Sequence, residues 1–475
     1  MSYLVSKNLT KTGEEWVDRI PSTWALKRFK YCSPLVVEKA VGNGELPYVG
    51  LENVESWTGR YKEATEEKPD AAANRFACGD VLFGKLRPYL AKVLKPDFEG
   101  RCTGELLVLR PKLLDGRYLQ YLLLSDNFIR NVDASTYGAK MPRAEWGFIG
   151  NLKSPIPPRP QQTAIADFLD RETERIDALI AKEERLLGLL EEKRTTLISD
   201  LVTGKVTFGE RKNLGVRRHD AALDRGDMSP QTESGDMSPH SKLRPRRASD
   251  LSGVASAKTE LKDSGIEWLG MIPKGWEVKK LKYCSTRIKT GGTPPPEYIV
   301  PDGELDWYTP GDFDGSLFLG RSKRRLSGNA VDDGVARFFP AKSILIVGIG
   351  ATLGKVALSR DQSSANQQIN FVVPARDCSP EFLTYFLSLH RETMRLLSDS
   401  ATLGIMNQEK TGWLPIPTPP LDVQEQIVTY IHSQTARFDA LKTKINRAIE
   451  LLREKRTALI SAAVTGKIQV EGVGA

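Results

Sequence analysis

The chain has 475 residues, and its length and 40% hydrophobic content suit two to four domains with buried cores. Basic residues outnumber acidic ones by 68 to 60, and the net charge of +8 favours a polyanionic partner without proving one. Five cysteines with no C-x-x-C pair argue against a disulfide framework or a structural zinc site. Since no segment is apolar enough to act as a signal peptide or to span a bilayer, we expect a cytoplasmic protein without membrane association.

The sequence of the first predicted element, which we call the lead segment, is repeated later in the chain. "EWVDRIPSTWALKRFKYCS" (15–33) matches "EWLGMIPKGWEVKKLKYCS" (267–285), and "PIP" occurs at 155–157 and again at 415–417. "EKRTTLISDLVTGK" (192–205) and "EKRTALISAAVTGK" (454–467) differ at only three positions. A repeat of about 200 residues is far longer than a solenoid period. The sequence therefore indicates a whole domain plus a helix, used twice.

Two divergent middle segments separate these repeated parts. "GDVLFGKLRPYLAKVL" (79–94) stands where "KSILIVGIGATLGKVAL" (342–358) stands in the second repeat. Both predict two short strands joined by a glycine-marked turn. Helices are predicted near 119–130 and 380–397. We therefore expect the middles to be mixed domains of strands and helices.

A heptad pattern follows each "PIP" for about five heptads and is typical of a coiled coil. Glycine ends each predicted helix, at Gly204 and Gly466. The simplest partner for each helix is the other one. The predicted class is α+β, with two mixed α/β domains joined by two long antiparallel coiled-coil helices in a pseudo-twofold tandem repeat. The predicted seam residues are Leu169, Ile176, Ile180, Leu187, Leu190, Leu197, Ile431, Phe438, Ile445, Ile449, Leu452 and Leu459.

The domain boundaries predicted from these patterns place a flexible linker near the centre of the chain. The linker contains no aromatic residue between Phe208 and Trp268 and carries "GDMSP" twice, so it cannot bury enough apolar surface to order itself. The predicted segments are a first domain with its lead segment (1–158), a first long helix (159–207), the linker (208–262), a second domain (263–418) and a second long helix (419–470).

Motifs for catalysis or metal binding are not found in the sequence. "GIGATLGK" (348–355) resembles a phosphate loop, but Ile349 replaces the first required glycine and Val356 follows the lysine where Ser or Thr is needed. A hairpin turn is the better interpretation. The four histidines lack metal-ligand spacing. No catalytic residue and no metal ligand is therefore predicted.

Basic, aromatic and amide residues are better represented in both middles. Arg and Lys neutralise phosphates and bond guanine, whereas Asn and Gln can pair with adenine. The alternative is an ordinary solvated face, but together with the duplication these residues favour DNA contact. The predicted DNA-binding residues are Lys85, Arg87, Tyr89, Lys140, Arg143, Lys289, Arg324, Lys355, Asn366 and Gln367, and residues of the same character nearby are Lys92, Lys323, Arg325, Gln368 and Asn370.

The chain resembles the specificity subunit of type I restriction-modification systems. The resemblance rests on the two lead segments, on "GDVLFGKLRPYLAKV", on the helix starts that follow each "PIP" and on the two "VTGK" helix ends. It covers nearly the whole chain except the linker, and two copies of all these features in one order make it specific.

The resemblance implies a non-catalytic DNA-recognition subunit. In that family two target recognition domains each read one half of a split, asymmetric sequence in double-stranded DNA, and the repeated helices space the domains and dock two methylation subunits. S-adenosylmethionine, ATP and magnesium are then expected in the methylation and restriction/translocase subunits, and no cofactor is expected in this chain.

Three other interpretations stay open on sequence alone. One is the recognition subunit of another multi-subunit restriction system. Another is a coiled-coil scaffold whose domains bind proteins, which predicts no salt-dependent DNA binding. An enzyme in its own right is opposed by the missing cofactor and nucleophile motifs.

Overall fold

A computed structural model describes residues 4–6, 8–40, 46–63, 73–136, 140–206, 260–398 and 404–470. The chain divides into two compact units, the first made of Met1–Gly188 and Lys442–Ala475 and the second of Leu189–Leu441. Each long helix is thus shared between the units, and the domain boundaries drawn from the sequence stay predictions. The predicted linker lies outside the described residues except for 260–262.

The first unit contains two four-stranded sheets. One is antiparallel and has the strand order Val93–Leu94, Val81–Gly84, Leu106–Leu109, Leu35–Val36. The other has the order Lys39–Ala40, Ala73–Phe76, Gly100–Cys102, Tyr48–Val49, and its last two strands are parallel. All four residues of Val81–Gly84 are buried, as expected for a short apolar run in a central strand.

The second unit repeats this plan with a different sequence. Its antiparallel sheet has the order Val356–Leu358, Ile344–Val347, Ile369–Pro374, Ser285–Thr290. Its other sheet has the order Ile299–Val300, Arg325–Leu326, Leu305–Tyr308, Ser363–Ala365, Phe338–Phe339, and again contains one parallel pair. The expected duplication of a mixed α/β domain is confirmed.

Each mixed domain joins its long helix through a two-stranded stem. The first "PIP" lies in and just after Lys153–Ile156, which pairs with Ala25–Arg28, and the second lies in Pro415–Thr418, which pairs with Glu277–Lys280. Three further strand pairs are Leu9–Lys11 with Arg19–Pro21, Leu261–Asp263 with Met271–Pro273, and Leu4–Val5 with Ile468–Gln469.

Each helix predicted in a middle segment is two helices in the structure. The first is broken between Gly116–Leu123 and Asp126–Ala134, because Ser125 adopts an extended conformation that starts a new helix. The second is broken at His390, between Pro380–Leu389 and Arg391–Leu397. The other short α-helices and 3-10 turns within the described residues are Phe29–Cys32, Trp146–Ile149, Asn329–Asp332, Gln408–Trp413, Glu15–Val17, Pro88–Leu90, Leu281–Tyr283, Pro296–Tyr298 and Pro310–Asp312.

The long helices are Arg159–Val202 and Leu421–Val464, each of 44 residues. Within the first unit, Arg453 pairs with Glu184 and Arg456 pairs with Asp177. Residue numbers thus increase along one helix where they decrease along the other, so the two helices run in opposite directions. The predicted antiparallel pairing is therefore confirmed. All of the predicted seam residues are buried or half-buried. None of the described helices is long and apolar enough to cross a membrane.

The end of each long helix packs against the lead segment of the other repeat. In the first unit, Leu459 and Val464 share a core with Trp16 and Ile20. In the second unit, residues 197–202 share a core with the corresponding lead segment. This explains the repeated "VTGK" ends, because both meet similar surfaces.

Glycine is required at both helix ends. Gly204 and Gly466 have φ angles of +73° and +69°, a region that other residues rarely adopt. A Cβ atom at Gly204 would lie 2.4 Å from Pro273, and one at Gly466 would lie 2.4 Å from Pro21. Pro21 and Pro273 occupy equivalent positions of the repeat, so the two junctions are built from matching residues on both sides.

Candidate DNA interface

The first unit carries a group of basic residues that we call the basic turn, residues 85–91 together with 140–143. Arg87 N donates to Pro142 O at 2.8 Å, and Ala144 N donates to Lys85 O at 2.9 Å. An antiparallel bridge joins Leu86 to Arg143. The structure therefore brings together five residues that the sequence analysis singled out, namely Lys85, Arg87, Tyr89, Lys140 and Arg143.

Arg87 and Tyr89 are the most open side chains in residues 85–91. Tyr89 is 46% exposed, and Arg87 is also exposed. Arg87 and Ala91, on either side of the short helix Pro88–Leu90, have φ angles of 49° and 45°. Such left-handed residues are strained, and strain of this kind clusters at ligand-binding sites. The turn thus presents a cation and an aromatic ring on a fixed backbone.

Arg143 is already engaged by an acidic neighbour. Its Nη2 and Nε donate to the Glu105 carboxylate at 3.1 and 3.2 Å. Hydrogen bonds to Glu105 raise the pKa of the Arg143 guanidinium. A phosphate that contacts Arg143 would therefore have to compete with Glu105.

Lys92 belongs to the interior and not to the basic turn. Its Nζ donates to Val54 O at 3.0 Å and also to Leu51 O. Burial lowers the pKa of Lys92 below the ordinary value for lysine. This ammonium holds the loop 51–54 against the sheet.

The amide cluster of the second unit contains both open and internal side chains. Gln367 is exposed, whereas Asn366 Oδ1 accepts a bond from Gln368 N at 3.0 Å. Asn370 is 2% exposed and donates to Met406 O and Thr411 Oγ1. The side chain of Asn370 is therefore internal, whereas that of Gln367 is open to solvent.

Basic residues of the second unit meet at the loop Pro310–Phe313. Lys355 Nζ donates to Phe313 O at 2.9 Å, and Lys323 Nζ donates to Gly311 O at 3.0 Å. Lys355 thus lies in an internal contact and not in a phosphate loop. Both ammonium groups are therefore tied to carbonyls of one loop.

The other basic residues of this unit differ in whether their side chains are exposed or bonded to the protein. Arg324 and Lys289 are exposed. Arg325 is held by Asp306 and donates to Gly303 O and Glu304 O, so it supports the sheet. Direct DNA contact by any of these residues stays a prediction.

Two buried glutamines were missed by the sequence analysis. Gln162 accepts a bond from Asp115 N at 2.6 Å and donates to Leu113 O and Pro157 O. Gln424 makes the same set of bonds in the second unit, to Ser379 N, Asp377 O and Pro419 O. Each ties a mixed domain to the start of its long helix. The two glutamines occupy equivalent positions of the repeat, at an offset of 262 residues, and this equivalence could have identified them from the sequence.

Residues 273–451 match the family model of the type I restriction modification DNA specificity domain. The chain is 28% identical over 202 residues to the type I restriction enzyme MjaIX specificity subunit of Methanocaldococcus jannaschii, covering 41% of this chain and 44% of that protein. It is 24% identical over 406 residues to the HindI specificity subunit of Haemophilus influenzae, covering 80% of this chain and 83% of that protein. The matches to the M. jannaschii subunit and to the Escherichia coli EcoDI subunit span less than half the length of those relatives.

Solved structures have the same fold. A chain from a structure of type I restriction-modification complex assembly superposes with a TM-score of 0.68 at 18% identity, covering 94% of this chain and 99% of that one. The HsdS subunit of Thermoanaerobacter tengcongensis superposes with a TM-score of 0.52 at 18% identity, covering 94% and 98%. The matched curated relatives are all named as specificity subunits. In sequence and in its duplicated domains and repeated helices, the chain is thus similar to type I restriction enzyme specificity subunits.

Proposed function

We propose that this chain is the subunit that recognises a bipartite, asymmetric sequence in double-stranded DNA for a type I restriction-modification complex. The observation that carries the proposal is a duplicated fold with unlike turns. The two antiparallel sheets share one strand order, yet the turn after the second strand reads "KLRPYLA" in one unit and "GIGATLG" in the other. Two similar frames with different surface chemistry suit two different half-sites.

The exposed chemistry supports contact with both phosphates and bases. Arg87, Lys140, Lys289 and Arg324 are exposed cations, and contacts of this kind make DNA binding depend steeply on salt. Gln367 is an exposed amide, the type of group that pairs with adenine. Phosphate contacts would position each unit, and contacts to base edges would specify the sequence.

The repeated helix junctions support docking of two copies of one partner. Both "VTGK" ends pack on similar lead segments in buried cores, so the exposed faces around the two junctions would be related as well. Two methylation subunits and the restriction/translocase subunits would bind there, with S-adenosylmethionine, ATP and magnesium held by those partners. The complex would act in the cytoplasm.

A methylome tests this function directly. The chain is expressed with its neighbouring methylation subunit in a host that lacks both, and modified bases are read on single DNA molecules. We expect a new split motif with methyladenine in both halves, absent when this chain is omitted. If both proteins are soluble and associated but no motif appears, a coiled-coil scaffold becomes the better interpretation.

A further inference from the structure

A buried arginine connects the helix pair of the first unit to its mixed domain. Arg456 lies on the second long helix and is only 7% exposed. Its Nε donates to Asp177 Oδ1 on the first long helix at 3.0 Å. Its two terminal nitrogens donate to Trp57 O at 2.7 Å and to Thr58 O at 3.2 Å. One guanidinium therefore joins two helices and a loop.

The same loop continues to the basic turn. Trp57 N donates to Ala91 O at 3.1 Å, and Ala91 N donates to Pro88 O at 2.8 Å, which closes the short helix that contains Tyr89. Trp57 itself has a φ of 66°. A tryptophan persists in this strained region only where the surroundings determine its conformation. Bonds on both sides of Trp57 therefore link Arg456 to the predicted DNA-contacting turn.

The repeat supplies a counterpart with the same residues and a different environment. In the second unit Arg194 donates to Asp439 at 3.3 Å, and their side chains are 33% and 59% exposed. The side chains of Arg456 and Asp177 are 8% and 12% exposed. An exposed pair is screened by solvent and contributes little, whereas removing one partner of a buried pair is costly. Only the first unit uses the repeated pair as a buried connection.

We propose that Arg456, held by Asp177, is a positioning residue for the basic turn. It would fix Arg87 and Tyr89 relative to the helix pair and so control the reading of one half-site without touching DNA. Lysine is not an equivalent replacement, because the guanidinium donates from three separate nitrogens in a fixed planar fork, whereas the ammonium of lysine is a single compact donor. The effect on DNA reading rests on the proposed function, whereas the effect on the turn does not.

The first test replaces both charges with apolar side chains. In Arg456→Met/Asp177→Leu the helices keep a packed contact, since apolar replacement of a buried ion pair is often neutral or stabilising. The donors to Trp57 O and Thr58 O are lost, and Arg60 loses its bond to Asp177, so the exchange of residues 85–91 and not that of 54–62 decides the test. Arg194→Met/Asp439→Leu is the matched control in the second unit.

Amide hydrogen exchange in the full chain measures the connection without DNA. We expect residues 54–62 and 85–91 to exchange at least about tenfold faster in the first variant, because two hydrogen bonds from a charged group to the loop are lost and one such bond already corresponds to about tenfold. Protection of Leu106–Leu109 should stay unchanged, and the control variant should leave all three segments as in the wild type. Unchanged exchange at 85–91 in the first variant would overturn the proposal.

DNA duplexes that carry the motif found in the methylome provide the second readout. We expect Arg456→Met/Asp177→Leu to lose about tenfold discrimination at one half-site, equivalent to roughly one hydrogen bond, and to keep it at the other. Faster exchange with full discrimination at both halves would refute the positioning role. A wild-type chain that discriminates at neither half-site would refute the proposed function, and with it the role of Arg456 in DNA recognition. Amide hydrogen exchange would still decide whether Arg456 holds the basic turn in place.

Discussion

Individual basic residues of this chain differ in what their charge is bonded to. Arg87 points to solvent, whereas Lys92 and Lys355 donate to backbone carbonyls. In the sequence these residues look alike, since each stands near a turn beside apolar strands. The difference depends on carbonyls supplied by distant segments, as when Phe313 provides the acceptor for Lys355. Local pattern therefore does not reveal which of these basic residues the fold uses for internal contacts.

Arg87→Ala should weaken DNA binding without weakening the fold. Arg87 is exposed, and alanine has the same Cβ and the same left-handed strain, so the stability should stay as in the wild type. Loss of a direct contact should lower affinity by about ten- to hundredfold, or roughly 1–3 kcal/mol. Fluorescence anisotropy at several salt concentrations measures this loss. A salt slope lower by about one would identify a phosphate contact.

Arg19 provides the control for that measurement. It is an exposed arginine of the same unit whose side chain is 53% accessible. Arg19→Ala removes the same charge outside the basic turn, and we expect it to change affinity by less than about twofold, as for an ordinary surface substitution. Equal losses from both variants would mean that total charge, and not the turn, governs binding.

Gln162→Leu and Gln424→Leu should each destabilise the unit that contains the residue. Each substitution removes the partner of one backbone N–H and of two carbonyls, and the bonds to Pro157 O and Pro419 O are fully buried. The expected cost is about 1–3 kcal/mol for each variant. Chemical denaturation monitored by circular dichroism measures the cost. Half-buried Gln161, which neighbours Gln162, is not a neutral control because it accepts a bond from Trp24. The exposed Gln426 on the second long helix serves instead.

Elements differed in how well the sequence predicted them. The long helices were predictable because a heptad pattern is local and repeats many times. The break at Ser125 was missed because the apolar spacing continues across it, while the extended backbone of one residue ends the helix. The strand order was beyond prediction, since it depends on pairings such as Tyr48–Val49 with Gly100–Cys102, which are far apart in sequence. The Arg456–Trp57 contact was also beyond prediction, because its two residues are likewise far apart in sequence.

Insertion of four residues after Gly188 should lengthen the DNA spacer and leave both half-sites unchanged. Gly188 is exposed and ends the first segment of the first unit, so the insertion avoids the ion pairs of Asp177 and Arg194. Four helical residues add about 6 Å, or under two base pairs at about 3.4 Å each. The methylome of the variant measures the new spacer.

The insertion needs a control of unchanged length. A variant that replaces exposed Arg185, Leu186 and Leu189 with glutamine alters the same helix surface without extending it. We expect its motif to equal that of the wild type. A changed half-site with the original spacer in the insertion variant would refute the spacing role of the helices.

At the scale of the whole molecule, each mixed domain enters and leaves through one stem. In the first unit Arg28 lies opposite Lys153, and Phe29 N donates to Leu152 O at 2.9 Å. In the second unit Leu281 N donates to Leu414 O at 2.8 Å in the same way. The segments between these bonds are therefore equivalent insertions into two similar stems. A mixed domain should be exchangeable because its ends are already held together by the stem.

Replacing Ser33–Asn151 with residues 285–413 of the same chain should change one half-site only. Both stems keep their strands, so the graft joins backbone ends that already have the required separation. With the same domain in both places, we expect the first half-site to become the reverse complement of the second, which gives a symmetric motif. The methylome of the chimera, compared with that of the wild type, reads this outcome.

The reciprocal graft, residues 33–151 in place of 285–413, should give the other symmetric motif. Because each graft keeps both long helices, a chimera that folds but alters both halves would show that the two domains do not read independently.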